Sequence, residues 1–121
     1  METENKIDAF NITKNVIQFS YNWNNKLDCK SYTTIRLKSE RYKIGNTYNI
    51  YLKGLEQIEA KIINIKEFKL KDLNDYMAYL DTGYGVEETK LIIHRMYKNI
   101  SEDQIFYFIL LSKTKLKKNF P

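Results

Sequence analysis

The sequence predicts an α+β domain in which a mostly antiparallel β-sheet is followed by two helices and a last strand. Between residues 16 and 65, apolar and β-branched residues alternate with polar ones in short runs separated by turn signals, as in strands joined by hairpins. Between residues 70 and 96 the apolar spacing changes to three and four residues, which is typical of amphipathic helices. A small sheet loses its exposed edges when it curls into a barrel, so we expect a small β-barrel with two or more flanking helices.

The first strand candidate is a short run of β-branched and aromatic residues: Val16, Ile17, Phe19 and Tyr21. Residues 22–29, NWNNKLDC, are rich in Asn and predict a turn-rich connection, from which Trp23 and Leu27 could pack inward. Residues 30–37, KSYTTIRL, are β-prone through Tyr, Thr and Ile.

Two further strand candidates follow, each after a turn signal. The Gly-Asn pair at residues 45–46 precedes residues 48–52, where apolar residues recur at period two. The Lys-Gly pair at residues 53–54 precedes the longest candidate, residues 58–68, in which Ile63 is out of phase with the other apolar positions.

Two helices are predicted after these strands. The apolar positions of the first are Leu70, Leu73, Tyr76, Met77 and Leu80. It ends at residues 81–85, DTGYG, because glycine adopts positive φ readily. The second helix covers residues 86–97, with Glu87 and Glu88 near its start, where carboxylates suit the helix dipole. Residues 105–111, IFYFILL, form an apolar run of strand length that suits a central strand covered on both faces.

Length and composition indicate one folded domain. A chain of 121 residues with 43% hydrophobic residues can bury a single core, so we expect one domain over residues 1–121, with a flexible arm at 1–14 and a basic tail at 112–121. The formal net charge of +5 favours an anionic partner such as nucleic acid. No apolar run approaches the roughly 18 residues of a membrane helix, and no apolar signal segment follows the N-terminus, so we expect a cytoplasmic protein without membrane contact.

Several kinds of site are excluded by the residues present. Cys29 is the single cysteine and His94 the single histidine, which leaves no internal disulfide and no cysteine-ligated zinc site. The phosphate-binding loop, the dinucleotide fingerprint, the nucleophile elbow and the zinc-protease helix are all absent. We therefore expect neither a metal nor another cofactor.

Polar side chains dominate one face of the second strand candidate. Because successive side chains alternate in a strand, four residues project to the same side: Lys30, Tyr32, Thr34 and Arg36. Two cations, a hydroxyl and an aromatic ring would suit a phosphate or the polar edge of a base. The alternative is an outward-facing strand whose polar face is simply solvated.

The segments CKSYTTIRLKSERYKIGNTYNIYL, AKIINIKEF, LNDYMAYL, EETKLIIHRMY and FYFILL, in this order, resemble the ASCH domain, a branch of the PUA-like superfamily. The resemblance covers about residues 16–111, and its strongest parts are residues 34–36 and 44–48. It implies a small β-barrel with helices and a cleft that accepts RNA or a nucleotide. Some ASCH proteins of this size are amidohydrolases that remove the acetyl group from acetylcytidine, and ribonuclease activity is attributed to others.

The resemblance also implies working residues. In the amidohydrolases these are a Lys and a Thr of a K-T-x-T-x-R segment and a Glu ahead of the last helix. Thr34 and Arg36 occupy the Thr and Arg positions. Lys30 is the lysine that the segment offers, but it stands one residue further from Thr34 than the family's lysine does. A shift of one residue places a side chain on the face opposite to that of the family's lysine, unless a bulge absorbs the shift. Asp81 is expected in place of the Glu, with Glu87 as the alternative.

The main functional expectation is an RNA- or nucleotide-binding module without a cofactor. Its cleft would be bordered by the cations Lys30 and Arg36 and by the rings of Tyr32, Trp23 and Tyr84, on which bases could stack.

Two alternatives remain open. One is an amidohydrolase acting on an acylated pyrimidine nucleoside, with Lys30 as nucleophile or base, Thr34 as a positioning group and Asp81 as the acid. The other is a regulator encoded by a phage or mobile element that binds a protein partner. Convergence of Lys30, Thr34 and a carboxylate within hydrogen-bonding distance in one concave pocket would favour the enzyme over the binding module, and their dispersal would count against the enzyme.

Overall fold

The computed structural model describes residues 15–115 and has an α+β fold. Its strands are β1 (Val16–Phe19), β2 (Ser31–Leu37), β3 (Thr47–Leu52), β4 (Leu55–Glu56), β5 (Ala60–Lys69) and β6 (Ile105–Lys113). Two α-helices, α1 (Asp75–Thr82) and α2 (Val86–Met96), lie between β5 and β6. Short 3₁₀ helices cover Trp23–Asp28, between β1 and β2, and Leu70–Asp72, directly after β5. The predicted α+β class is therefore confirmed.

The six described strands form one mixed sheet in the order β1-β3-β5-β6-β2, with β4 paired to β3. β1 runs parallel to β3, and the other four pairs of neighbouring strands described are antiparallel. The sheet is not closed into a barrel, because β1 and β2, at its two ends, share no backbone ladder. The two ends nevertheless meet through side chains: Arg36 Nη2 donates to the carbonyl oxygen of Gln18 at 2.9 Å, and the rings of Phe19 and Tyr32 lie edge to face at 6.1 Å.

A β-bulge in β5 explains the apolar residue that is out of phase in the sequence. Ile62 pairs with Leu111 and Asn64 with Leu110, so Ile63 is the extra residue of the bulge. Its side chain is 46% exposed. A bulge lets a strand restore its inward-facing set after one extra residue, so Ile65 returns to the sheet's pairing with β6.

The first α-helix starts later than the apolar spacing predicts. Leu70 lies in a 3₁₀ turn, and α1 begins at Asp75, after the Asn74 side chain accepts a hydrogen bond from Met77 N at 3.0 Å. An Asn at this position satisfies a backbone donor that the first helical turn leaves unpaired. Leu70, Leu73 and Met77 are buried, whereas Tyr76 and Leu80 are 81% and 56% exposed. The periodicity therefore identified three core residues correctly, was wrong for Tyr76 and Leu80, and predicted a helix one turn too long.

Two hydrophobic clusters fill the interior on the two faces of the sheet. The first contains Ile17, Phe19, Leu27, Tyr32, Tyr42, Tyr48, Ile50, Ala60, Ile62, Ile109 and Leu111. The second contains Ile35, Leu70, Leu73, Met77, Ile93 and Phe106. Strand β2 contributes Tyr32 to the first cluster and Ile35 to the second, because side chains alternate along a strand. Both faces of β2 are therefore covered.

The two ends of the chain fall partly outside the described residues. The arm predicted at residues 1–14 lies outside them, as do residues 116–121 of the predicted tail. Ser112 and Lys113 belong to β6 rather than to a tail, and Lys113 is buried. Within residues 15–115, no helix is long and apolar enough to cross a membrane.

Candidate active site

A small cavity lies where the 3₁₀ segment Trp23–Asp28, strand β2 and both α-helices meet. Its volume is about 20 Å³. It is lined by Trp23, Lys26, Thr34, Ile35, Asp81, Thr82, Ile92, Ile93, Met96 and Tyr97. The lining combines a cation, a carboxylate and hydroxyl-bearing residues with an apolar wall, which is the general character of small-molecule sites in proteins.

The charged part of the cavity is a buried ion pair. Lys26 Nζ donates to Asp81 Oδ1 at 2.9 Å, and the two side chains are only 6% and 10% exposed. The Thr33 hydroxyl donates to the same oxygen at 3.1 Å. Burial of a charge is costly unless it is paired and hydrogen-bonded, and here the cation and the hydroxyl together compensate the carboxylate.

The two carboxylate oxygens of Asp81 differ in their hydrogen bonding. Both hydrogen bonds found for Asp81 within residues 15–115 end on Oδ1. Oδ2 accepts no hydrogen bond within the same residues, and Asp81 is one of the residues that line the cavity. A carboxylate held by one oxygen and accessible at the other can accept a proton without losing its position.

Local backbone geometry places Lys26 over the sheet. Asn24 and Asn25 adopt left-handed conformations, with φ of 59° and 52°, which Asn tolerates better than most residues. The Asn22 side chain accepts a hydrogen bond from Leu27 N at 2.9 Å, and Asn24 Nδ2 donates to the carbonyl oxygen of Tyr79 on α1 at 3.4 Å. The Asn-rich connection is thus a tight, tethered turn that points Lys26 inward, next to buried Leu27.

Thr34 and Arg36 form a second buried polar group on the opposite face of β2 from Thr33. Arg36 Nε donates to the Thr34 hydroxyl oxygen at 2.9 Å, and both residues are 2% exposed. The Arg36 guanidinium lies 4.7 Å from the centre of the Phe19 ring, and Lys26 Nζ lies 5.5 Å from it. Both distances allow a cation–π attraction, so the Phe19 ring stabilises the charges of both side chains.

An open groove of about 300 Å³ adjoins the cavity. It is lined by Tyr21, Asn22, Trp23, Asn24, Asn25, Thr82, Gly83 and Tyr84. The Trp23 ring lies between two tyrosines, with centroid distances of 4.6 Å to Tyr21 and 6.2 Å to Tyr84. Trp23 and Thr82 line both the groove and the cavity, so these two residues form the boundary between them.

The lysine expected at the site is replaced by another. Lys30 is exposed, precedes β2, and its Nζ donates to the Ser112 hydroxyl at 3.1 Å. The ladder between β2 and β6 runs without a break from Ser31 to Leu37, so no bulge returns Lys30 to the cavity. Lys26 takes its place beside Asp81. Glu87 is exposed at the start of α2 and does not line the cavity.

The other predicted residues divide into two groups. Thr34 and Asp81 line the cavity, and Trp23 and Tyr84 line the groove. Tyr32 and Arg36 are buried in the interior of the fold, because β2 is covered on both faces, and neither residue lines the cavity or the groove. Burial raises the pKa of Tyr32 well above its usual range, an effect that the nearby Arg36 guanidinium partly opposes.

Two site residues escaped the sequence reasoning. Lys26 lies in a segment interpreted as a connection, and Thr33 was assigned to the face away from the predicted cleft. The one available signal is the four-residue spacing of Trp23 and Leu27, which indicates a turn of helix with an inward face. Nothing in that spacing identifies Asp81, 55 residues further along the chain, as the partner of Lys26.

Metal ligands are not clustered in the part of the chain that the structure describes: no group of three or more His, Cys, Asp or Glu side chains could hold a metal ion there.

Comparison of the chain with models of protein families, with curated proteins and with solved structures finds no match.

Proposed function

We propose that this protein is an amidohydrolase that removes a short acyl group from the exocyclic nitrogen of an acylated pyrimidine nucleoside. The observation that carries the proposal is the convergence of Lys26 and Thr33 on Asp81 at the wall of a small cavity, with contacts of 2.9 Å and 3.1 Å to Asp81 Oδ1. The nucleoside class comes from the resemblance to ASCH amidohydrolases, whose working groups are also a lysine, a threonine and a carboxylate.

The chemistry assigned to these residues is the addition of water to an amide. Asp81 Oδ2 takes a proton from water as the water oxygen bonds to the acyl carbon. The Lys26 ammonium stabilises the negative charge that develops on the carbonyl oxygen. Asp81 then gives the proton to the nitrogen as the carbon–nitrogen bond breaks, which releases the amine and a carboxylic acid. Thr33 holds Asp81 in place through its bond to Oδ1.

The dimensions of the two spaces suggest how such a substrate would lie. A cavity of about 20 Å³ has room for one or two water-sized groups, such as the methyl end of a short acyl group or a water, but not for a base. The adjoining groove of about 300 Å³ is of the size of a small-ligand pocket and offers aromatic rings to a base. The acyl group would therefore enter past Trp23 while the base stays in the groove.

The test is incubation of the protein with N4-acetylcytidine and chromatographic measurement of cytidine. We expect turnover by the wild type and a loss of about 100-fold or more in kcat/KM for Asp81→Asn and for Lys26→Gln. Lys30→Gln is the matched control and should keep wild-type activity, because Lys30 is exposed and bonded to Ser112. Circular dichroism of each variant separates loss of chemistry from loss of fold. No turnover by the wild type, or equal activity of all three folded variants, would refute the proposal.

Binding of single-stranded RNA or a nucleotide in the groove is a second candidate function, favoured by a separate observation. The rings of Tyr21, Trp23 and Tyr84 border the groove, and Lys53 Nζ lies 5.6 Å from the centre of the Tyr21 ring. Aromatic rings beside a cation suit a base and its phosphate. Titration with a short RNA at two salt concentrations tests this: affinity should fall with salt and with Tyr84→Ala, and salt-independent or absent binding would exclude it.

A further inference from the structure

The indole nitrogen of Trp23 has no hydrogen-bond partner. Trp23 Nε1 is the only buried side-chain nitrogen or oxygen without one in the part of the chain that the structure describes. Buried polar groups in folded proteins are nearly always hydrogen-bonded, and an exception calls for an explanation. An N–H group kept for a ligand is such an explanation, because the ligand supplies the acceptor.

The position of Trp23 indicates where that ligand would be. The ring lines the cavity that holds Lys26 and Asp81, and it also lines the groove. Contacts with Tyr21 and Tyr84 on either side fix the ring at this boundary. The indole is therefore part of the boundary between the groove and the cavity, together with Thr82.

We propose that Trp23 Nε1 donates a hydrogen bond to the carbonyl oxygen of the acyl group and stabilises the oxyanion that forms there. This inference rests on the proposed amidohydrolase function and adds a residue to it. Lys26 Nζ is already engaged by Asp81 Oδ1, so a second donor of fixed geometry completes the stabilisation of the developing charge. A donor held by packing requires no reorganisation when the charge appears.

The chain offers a sharp test because it contains a single tryptophan. Biosynthetic replacement of tryptophan by 3-benzothienylalanine changes only this position and exchanges the N–H for sulfur while keeping the bicyclic ring. We expect the kcat for N4-acetylcytidine to fall by about 100-fold with the melting temperature unchanged. Trp23→Phe should show the same loss of kcat, and Tyr76→Phe, an exposed aromatic change on α1, should retain wild-type kcat.

Binding measurements separate this inference from the proposed function. Calorimetric Kd values should rise roughly threefold to tenfold for N4-acetylcytidine in the 3-benzothienylalanine protein and stay unchanged for cytidine, which lacks the acyl carbonyl. That pattern would support the donor role even if the wild type showed no turnover. Unchanged kcat and unchanged Kd for N4-acetylcytidine would overturn it. Equal losses for both ligands, or a lower melting temperature with no change in either Kd, would also overturn it and leave Trp23 a structural residue.

Discussion

Removal of the Lys26 charge should destabilise the protein strongly. Lys26→Met leaves the Asp81 carboxylate buried without its cation, and loss of one partner from a buried pair costs about 3–5 kcal/mol. The pair is 6% and 10% exposed, so water cannot replace the ammonium. Methionine keeps most of the length of the lysine stem, which limits the packing loss. The Thr33 hydroxyl continues to donate to Asp81 but is neutral, and it offsets about 1 kcal/mol at most.

Urea unfolding followed by the fluorescence of Trp23, the single tryptophan, measures this change. The matched control is Lys43→Met. Lys43 forms an ion pair with Glu40 at 3.1 Å, but the two side chains are 57% and 94% exposed, and exposed pairs contribute about 0–1 kcal/mol. The same substitution should therefore have a several-fold smaller effect at residue 43 than at residue 26.

A double variant isolates the interaction itself. Lys26→Met combined with Asp81→Leu removes both charges and should be more stable than Lys26→Met alone, with a remaining loss of about 1–3 kcal/mol from the unpaired Thr33 hydroxyl. A loss below about 1 kcal/mol for Lys26→Met, or additive losses in the double variant, would refute the reasoning that the two charges are buried and compensate each other.

Three further predictions concern other parts of the fold. Because burial raises the pKa of Tyr32, only the unfolded chain ionises this residue as the pH rises above about 10. The free energy of unfolding should therefore fall more steeply with pH in the wild type than in Tyr32→Phe. Parallel curves of unfolding free energy against pH for the two proteins would contradict this. Gly83→Ala should lower the free energy of unfolding by more than the roughly 1–2 kcal/mol expected for Gly45→Ala. Both glycines have positive φ, but only at Gly83 would the new Cβ meet a side chain, with Asn24 Oδ1 at 3.1 Å. Chemical denaturation compares the two variants, and equal losses of stability would contradict the contact. N4-butyrylcytidine should be hydrolysed with a kcat/KM roughly tenfold or more below that of N4-acetylcytidine, because the cavity is about 20 Å³; equal rates would show that the acyl group lies elsewhere.

Local sequence patterns predicted most of the secondary structure. The second α-helix was expected at residues 86–97 and is α2, Val86–Met96, and the polar strand expected at residues 30–37 is β2, Ser31–Leu37. Ile63, out of phase in the sequence, is the extra residue of a bulge. These features depend on side-chain period and turn residues within about ten positions, which the sequence displays directly.

The arrangement of the site could be predicted only in part. Asp81 and Thr34 were expected at a cleft, and both line the cavity. Tyr32 and Arg36 were expected beside them but are buried. The alternation of side-chain direction along a strand predicts which residues share a face, but it does not show whether other elements cover that face. Lys30 was expected because it is near Thr34 in the chain, and neighbours in the chain need not be neighbours in the fold.

Local sequence patterns were sufficient for the α+β class, for part of the hydrophobic core and for a strand with one mainly polar face. Tertiary structure alone decided that the sheet stays open while its end strands meet through Arg36 and Phe19. It also decided that Lys26, and not Lys30, meets Asp81. The physical reason is that a buried carboxylate must be matched by whichever cation the folded chain can bring to it. Here that cation comes from a tight Asn turn 55 residues away in sequence, a distance at which no periodic pattern carries information.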